Sequence, residues 1–275
     1  MEHTKAPEAH PSEEWAALPW RKLEHHLYRL QKRIFKASAR GDLKTVHQLQ
    51  KLLMKSRSAR LLAVRRVTQE NQGKKTAGID GVKSVPPAGR LALAEAIHPK
   101  WLAERKPKPL RRVWIPKPGK TEQRPLGIPV MFYRACQALA KQALEPQWEA
   151  LFEANSYGFR PGRSAHDAIT AIFLTINHKS KYVLDADIKG CFDNIDHQAL
   201  LGKLRTYPAM RRLVKGWLKA GVMDGLELSP TPTGTPQGGS RVAFAGQHRP
   251  VRHGRSTRQS LHGGEGNAPC TTTST

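Results

Sequence analysis

The 275-residue chain is short of acids: it has 22 Asp and Glu against 46 Lys and Arg, a formal net charge of +24 at pH 7. That imbalance excludes a neutral or acidic surface and favours a polyanionic partner, nucleic acid before anionic membrane. Long apolar runs are missing too. No stretch approaches the roughly 18 residues a membrane span needs, and the mean hydropathy is −0.56. The opening MEHTKAPEAHPSEEW carries acids and no apolar segment, so it does not read as a secretory signal, and a cytoplasmic location is expected. Cysteine is scarce. Cys136, Cys191 and Cys270 are odd in number and far apart, which fits a reducing compartment and excludes a disulfide framework or a zinc site.

What is present reads first as helix. Leu23, Leu27, Leu30 and Ile34 recur at spacings of 4, 3 and 4 on one face, among Arg21, Lys22, Arg29, Lys32, Arg33 and Lys36. Gly41 breaks the pattern and Asp42 is placed to cap a second helix that carries Leu43, Val46, Leu49, Leu52 and Leu53. A third helix is expected from about Ser58. A solvated charged face would explain any one of these helices. Three basic helices in a row keep nucleic-acid contact open beside it.

The Gly/Pro/Lys-rich stretch 73–90 reads as loop, followed by a short helix over Leu91–Ile97. Two strands are expected at Arg112–Ile115 and Arg124–Ile128, joined by a basic Pro/Gly turn. Helices are expected at about Phe132–Glu153, Ser164–His178, His197–Leu204 and Ala209–Ala220, and a short strand near Leu226–Leu228. KYVLDADI, with its Tyr, Val, Leu and Ile, reads as a strand ending at two acids.

Four segments could carry chemistry. Asp185 and Asp187, two apart on a strand, would share a face and repel unless a divalent cation separates them; capping acids are the plainer reading. Lys117 and Arg124 flank a turn and could clamp a triphosphate, one as a point charge and one as a fork; otherwise they form a solvated hairpin. Tyr157, Phe159, Arg160 and Arg163 mix aromatics with guanidiniums, as nucleic-acid contacts do, or form an ordinary loop. GTPQGG has glycines that permit close backbone approach to a ligand.

In this order the segments KKTAGIDGV, RRVWIPKPGKTEQRPLGIP, NSYGFRPGRSAHDAI, DADIKGCFDNIDH and GTPQGG resemble the group II intron reverse transcriptase/maturase family, over roughly Trp15 to Gly239. The resemblance implies an α+β fold, with right-hand polymerase fingers and a partial palm after a basic helical N-terminal extension. The implied division is 1–75 for the extension, 76–239 for fingers and partial palm, and 240–275 for a non-homologous tail. Function follows as RNA-directed DNA polymerisation using Mg²⁺, deoxynucleotide triphosphates, an intron RNA template and a DNA primer, with a splicing-assistance role. Asp187 falls on the metal-binding aspartate and the Ile188 carbonyl beside the second metal. Phe192 falls on the aromatic that excludes a ribose 2′-OH. Lys117 and Arg124 fall on the triphosphate ligands, and Gln237 on the nucleotide and template pocket. The stretch around Gly78–Gly81 resembles the segment that cradles the template. Asp185 matches no family ligand.

The departures matter equally. The family completes its metal site from a Tyr-Ala-Asp-Asp hairpin, and no two aspartates are adjacent in this sequence. After Gly239 the family continues as a buried apolar helix, roughly V-(V/I)-S-P-L-L-A-N-I-A-L. Here the chain reads SRVAFAGQHRP, and residues 240–275 hold five arginines and no lysine. Codons for these residues, read one nucleotide later, can spell VVSPLLANIAL without a miss. A frameshift near codons 238–240 is therefore expected, with a tail of no defined structure. Polymerisation by the chain alone is not expected, and a non-catalytic module that binds intron RNA is the alternative function. A DNA-binding structural protein would explain the charge but none of the motifs.

Overall fold

A computed structural model of the chain describes residues 11–102, 105–117, 119, 121–178, 181–186, 188 and 190–235. Ten α-helices and four strands are described. A short α1 (Pro11–Ala16) leads into α2 (Trp20–Ala39), α3 (Leu43–Lys55) and α4 (Arg57–Arg65). A π-helical turn at Arg66–Glu70 and a 3₁₀ turn at Gln72–Lys75 follow. Then come α5 (Pro87–Ala96), α6 (Pro99–Leu102), β1 (Leu110–Pro116), β2 (Gln123–Ile128), α7 (Met131–Glu149) and α8 (Ala165–Ile176). The described chain ends with α9 (His197–Lys203), α10 (Pro208–Leu218), β3 (Val222–Asp224) and β4 (Glu227–Ser229).

The expected periodicities give the expected helices. Ile34, Val46, Leu49 and Leu53 are buried, whereas Leu43 and Leu52 of the second helix lie off the inward face and are exposed. The Asp42 carboxylate accepts from the Thr45 N–H at 3.0 Å as the N-cap of α3. Hydrogen bonding from the Thr45 side chain, and then from its backbone N–H, holds that carboxyl below its ordinary pKa. Between Trp20 and Arg65 the acids are Glu24 and Asp42, against thirteen Lys and Arg.

Helix α7 is the hub. Its run of small residues (Ala135, Ala138, Ala140, Ala143) lets neighbouring helices approach, and it is buried on several sides. Pro146 lies inside it and cannot donate to the Gln142 carbonyl one turn back. That carbonyl accepts instead from Gln31 Nε2 of α2 at 3.1 Å. Beside it, Gln50 of α3 donates to Gln147 Oε1 at 2.6 Å and accepts from Thr206 Oγ1 at 3.1 Å. Ser38 Oγ of α2 donates to the Gln147 carbonyl at 2.8 Å. Buried polar groups are thus satisfied across three helices. One apolar core is continuous from Trp15 through α7 to Leu218.

The sheet order is β2-β1-β3-β4. β1 and β2 form the expected hairpin, antiparallel, with Arg111 opposite Ile128 and Pro116 opposite Gln123. β3 joins β1 in parallel through Leu110 and Val222, a pairing that periodicity does not reveal.

The strand expected at KYVLDADI is not formed: residues 181–186 have no strand structure and are exposed. A strand exists only by pairing, and the described sheet does not extend to these residues. Asp185 is exposed there, and Asp187, the second acid of the expected face, lies outside the described residues. Among the described residues no helix is long and apolar enough to cross a membrane.

Candidate nucleotide and nucleic-acid interface

The hairpin register settles which side chains share a face. Positions 111, 113, 115 and 117 stand opposite 128, 126, 124 and 122. Lys117 and Arg124 therefore lie on one face, at the turn end, diagonal to each other. Nearer the sheet the same face presents Val113, Ile115, Leu126 and Ile128 to a groove of about 570 Å³, walled by α7 and the 66–76 turns. Lys117 Nζ pairs with Glu122 at 2.5 Å, and this ion pair lowers the Glu122 pKa. Arg124 is exposed.

The 73–78 stretch is not free loop at its base. Arg134 of α7 donates to the Gly73 and Thr76 carbonyls, both at 2.6 Å, and to Pro129 O at 2.7 Å. Burial lowers its pKa. Gly78 packs so closely that an added Cβ would sit 2.6 Å from Val130 Cα. Residues 79–84 then run exposed beyond this anchor.

A second cluster joins segments forty residues apart. Thr235 N–H donates to Phe192 O at 2.7 Å and Gly234 N–H to Ile195 O at 2.9 Å. Gly234 has φ +74°, and a Cβ there would meet Asp193 O at 2.6 Å, so only glycine fits. His197 Nε2 contacts the Gly234 carbonyl at 2.6 Å. Gly234 and Thr235, which open GTPQGG, are therefore docked on the turn that carries half-buried Phe192. Ile188 is exposed, and its carbonyl accepts from the Cys191 N–H at 3.3 Å. Asp187 and Gln237 lie outside the described residues. The groove under the hairpin is lined by α7 and the 66–76 turns and not by the Phe192 turn.

The third segment divides. Arg160 is buried and spent internally. Its Nε lies 3.2 Å from both Glu149 carboxylate oxygens, Nη2 reaches Glu149 at 2.6 Å, and Nη1 reaches the Glu153 and Ser156 carbonyls at 2.7 Å. It is a staple within the fold, not a phosphate ligand. Phe159 is 74% exposed, in the left-handed region at φ 57°. Arg163 lies over the Tyr157 ring at 5.6 Å.

Sequence reading of α2 noted its cations and missed its aromatics. Tyr28 and Phe35 are exposed. With Arg21, His25 and Lys32 they follow spacings of 4, 3, 4 and 3, a stripe opposite the buried Leu23–Ile34 face. The one carboxylate of α2, Glu24, is taken by Arg65 at 2.9 Å. Two exposed aromatics on a cationic helix face were the signal available in the sequence.

Comparison with known proteins fits these motifs. Residues 15–97 match the N-terminal domain of reverse transcriptase, and residues 115–244 match reverse transcriptase (RNA-dependent DNA polymerase). The chain is 40% identical over 136 residues to the group II intron-encoded protein LtrA of Lactococcus lactis subsp. cremoris, covering 48% of this chain and 22% of that protein. The chain belongs to the group II intron reverse transcriptase/maturase family. This reverse transcriptase relative is also 35% identical over 183 residues to protein YkfC of Escherichia coli (strain K12), covering 63% of the chain and 48% of YkfC. To maturase-like protein 1 of Euglena gracilis it is 33% identical over 189 residues, covering 67% of the chain and 41% of that protein. The chain thus spans between about a fifth and a half of the length of these curated relatives.

Reverse transcriptases use divalent metal ions. Among the described residues no group of three His, Cys, Asp or Glu is placed to hold one. Asp196 near the Phe192 turn is spent capping α9, accepting from the Ala199 N–H at 2.6 Å. The described donor set does not fit a two-ion centre, and no metal-dependent step follows from it.

Proposed function

We propose that this chain is the RNA-gripping N-terminal and fingers portion of a group II intron reverse transcriptase. In this reading it binds intron RNA and a template–primer but does not extend the primer by itself. The observation that carries the reading is the outer stripe of α2: exposed aromatics among cations, with the one neighbouring carboxylate, Glu24, taken by Arg65. Cations release condensed counterions from phosphates, and aromatic faces stack on unpaired bases, which suits folded RNA with single-stranded loops. The division at about residue 75, between this extension and the fingers, is functional on this reading, since the core runs across it.

The other assignments follow the family pattern. Lys117 and Arg124 would hold the β- and γ-phosphates of a deoxynucleotide triphosphate. The exposed Lys117–Glu122 pair is weak and exchanges readily for a triphosphate. Residues 79–84, anchored through Gly78, would cradle the template. Phe192 would exclude a ribose 2′-OH, with Gln237 lining the same pocket. Asp187 and the Ile188 carbonyl would contribute to Mg²⁺ binding once further carboxylates are supplied.

The test is filter binding of the purified chain to a group II intron RNA across a salt series. A Tyr28→Ala/Phe35→Ala double variant should weaken binding by about 10-fold or more at one fixed salt, from roughly 1–3 kcal/mol per stacked base. Asp187→Ala should leave affinity unchanged, and Mg²⁺-dependent primer extension should be absent from both. Wild-type affinity in the double variant, or extension that Asp187→Ala abolishes, would sink the proposal.

A further inference from the structure

Helices α3, α6 and α10 frame a second cavity, of about 320 Å³, that shares no residue with the groove under the hairpin. Met54, Leu102, Pro107, Met210 and Leu213 give it apolar walls. Lys51, Lys55, Arg105 and Arg212 stand among them, all exposed. Among the described residues no carboxylate lines the cavity.

The walls are pinned from behind. Tyr133 Oη donates to the Lys106 carbonyl at 2.6 Å, and the Arg105 guanidinium lies 4.8 Å from the Phe132 ring centroid. Gly216 of α10 lies against Pro107, where an added Cβ would sit 3.0 Å from Cγ. Tyr207 is only 7% exposed, with Lys51 Nζ 5.4 Å from its ring centroid and His47 edge-on at 6.5 Å. Its hydroxyl makes no hydrogen bond to a described residue, although buried tyrosines usually find a partner. Burial pushes its pKa up to about 12, so it remains a donor at neutral pH. Tyr207 is also the N-cap of α10 and offers no side-chain cap, with Pro208 next. The N–H groups of Ala209 and Met210, both lining the cavity, are therefore open to an anion.

Charge and shape together select the ligand. Four cations, a phenol donor and a helix start call for an anion, and the lack of carboxylates excludes a metal ion. The apolar walls call for a body that a bare phosphate or a carboxylate side chain does not have. Tyr207 and adaptable methionines suit a flat ring. The volume lies at the small end of the roughly 300–1,000 Å³ of small-molecule sites, room for one nucleotide and not for a base pair.

We propose that this cavity is a nucleotide site separate from the polymerase pocket, with the base against Tyr207 and Met210 and the phosphate on the cations and the start of α10. The nucleotide arrives free or as an unpaired residue of a bound RNA, since both present the same base and phosphate. No lining residue belongs to α2, so the inference is independent of the stripe on that helix.

The experiment titrates the purified 275-residue chain into two fluorescent probes, 2-aminopurine riboside 5′-monophosphate and an RNA hairpin with a single bulged 2-aminopurine. Stacking quenches both. Quenching of the free monophosphate assigns the site to soluble nucleotide, and quenching of the bulge alone assigns it to an RNA residue; either supports the proposal. Ala209→Phe fills the cavity from an exposed position without changing charge, and Lys55→Gln/Arg212→Gln removes two exposed cations. Each should weaken binding at least about 10-fold, with Tm unchanged within about 2 °C. Tyr28→Ala/Phe35→Ala should leave monophosphate binding intact, which separates this site from the α2 reading. The proposal is overturned by any of four results. These are no quenching of either probe at about 1 mM monophosphate and about 10 μM RNA, quenching that Ala209→Phe leaves unchanged, displacement by inorganic phosphate as effective as by AMP, or monophosphate binding lost in Tyr28→Ala/Phe35→Ala.

Discussion

Arg160 separates two accounts of the SYGFRPGRS segment. If it is a staple, Arg160→Ala removes a buried guanidinium that makes five close contacts with Glu149, Glu153 and Ser156. Breaking a buried ion pair costs about 3–5 kcal/mol. The Glu149 side chain is 23% exposed, so water recovers part of that loss and the lower end applies. Losing its hydrogen bonds to the Glu153 and Ser156 carbonyls, of which the first keeps the Ser156 N–H, adds about 1 kcal/mol, for about 4 kcal/mol in all. At about 2–4 °C per kcal/mol for a domain of this size, Tm should fall by about 8–16 °C. If the 150–164 loop opens before the rest, the same loss appears as faster hydrogen exchange confined to it. Arg160→Lys keeps the charge but not the fork, and should cost roughly half as much. The assays are thermal unfolding and a salt series of RNA binding at 10 °C, where all three proteins are folded. A Tm unchanged within 2 °C, with the slope of log K against log salt reduced by about 1, would refute the staple and make Arg160 a phosphate contact.

Gln50→Leu leaves the fully buried Gln147 Oε1 and the half-buried Thr206 Oγ1 without their partner. A destabilisation of about 1–3 kcal/mol in urea unfolding is expected, and an unchanged midpoint would show that water replaces the lost amide. Cys136 is fully buried, and burial pushes its thiol pKa well up. Peptide mapping after iodoacetamide treatment at pH 8.5 should find it unlabelled in the folded chain and labelled in urea, while half-buried Cys191 reacts under both conditions.

Much of this protein is legible without coordinates. Leu23–Ile34 spacing, Asp42 before α3 and the paired strands around Lys117 and Arg124 are local patterns, fixed by residue type and period alone. The motif order identifies the family. Tertiary structure decided what depends on partners distant in sequence. Pairing β1 with β3 needs residues about 110 positions apart. KYVLDADI has the composition of a strand, yet composition cannot supply a neighbouring strand. Arg160 looked like a nucleic-acid ligand until Glu149 was seen to consume it, because a guanidinium serves an internal carboxylate or an external phosphate with the same chemistry. GTPQGG gained meaning only when Gly234 was found against Asp193. Periodicity fixes which face of an element is apolar, and only packing decides whether that face, as on α2, meets a core or, as on α8, lies exposed.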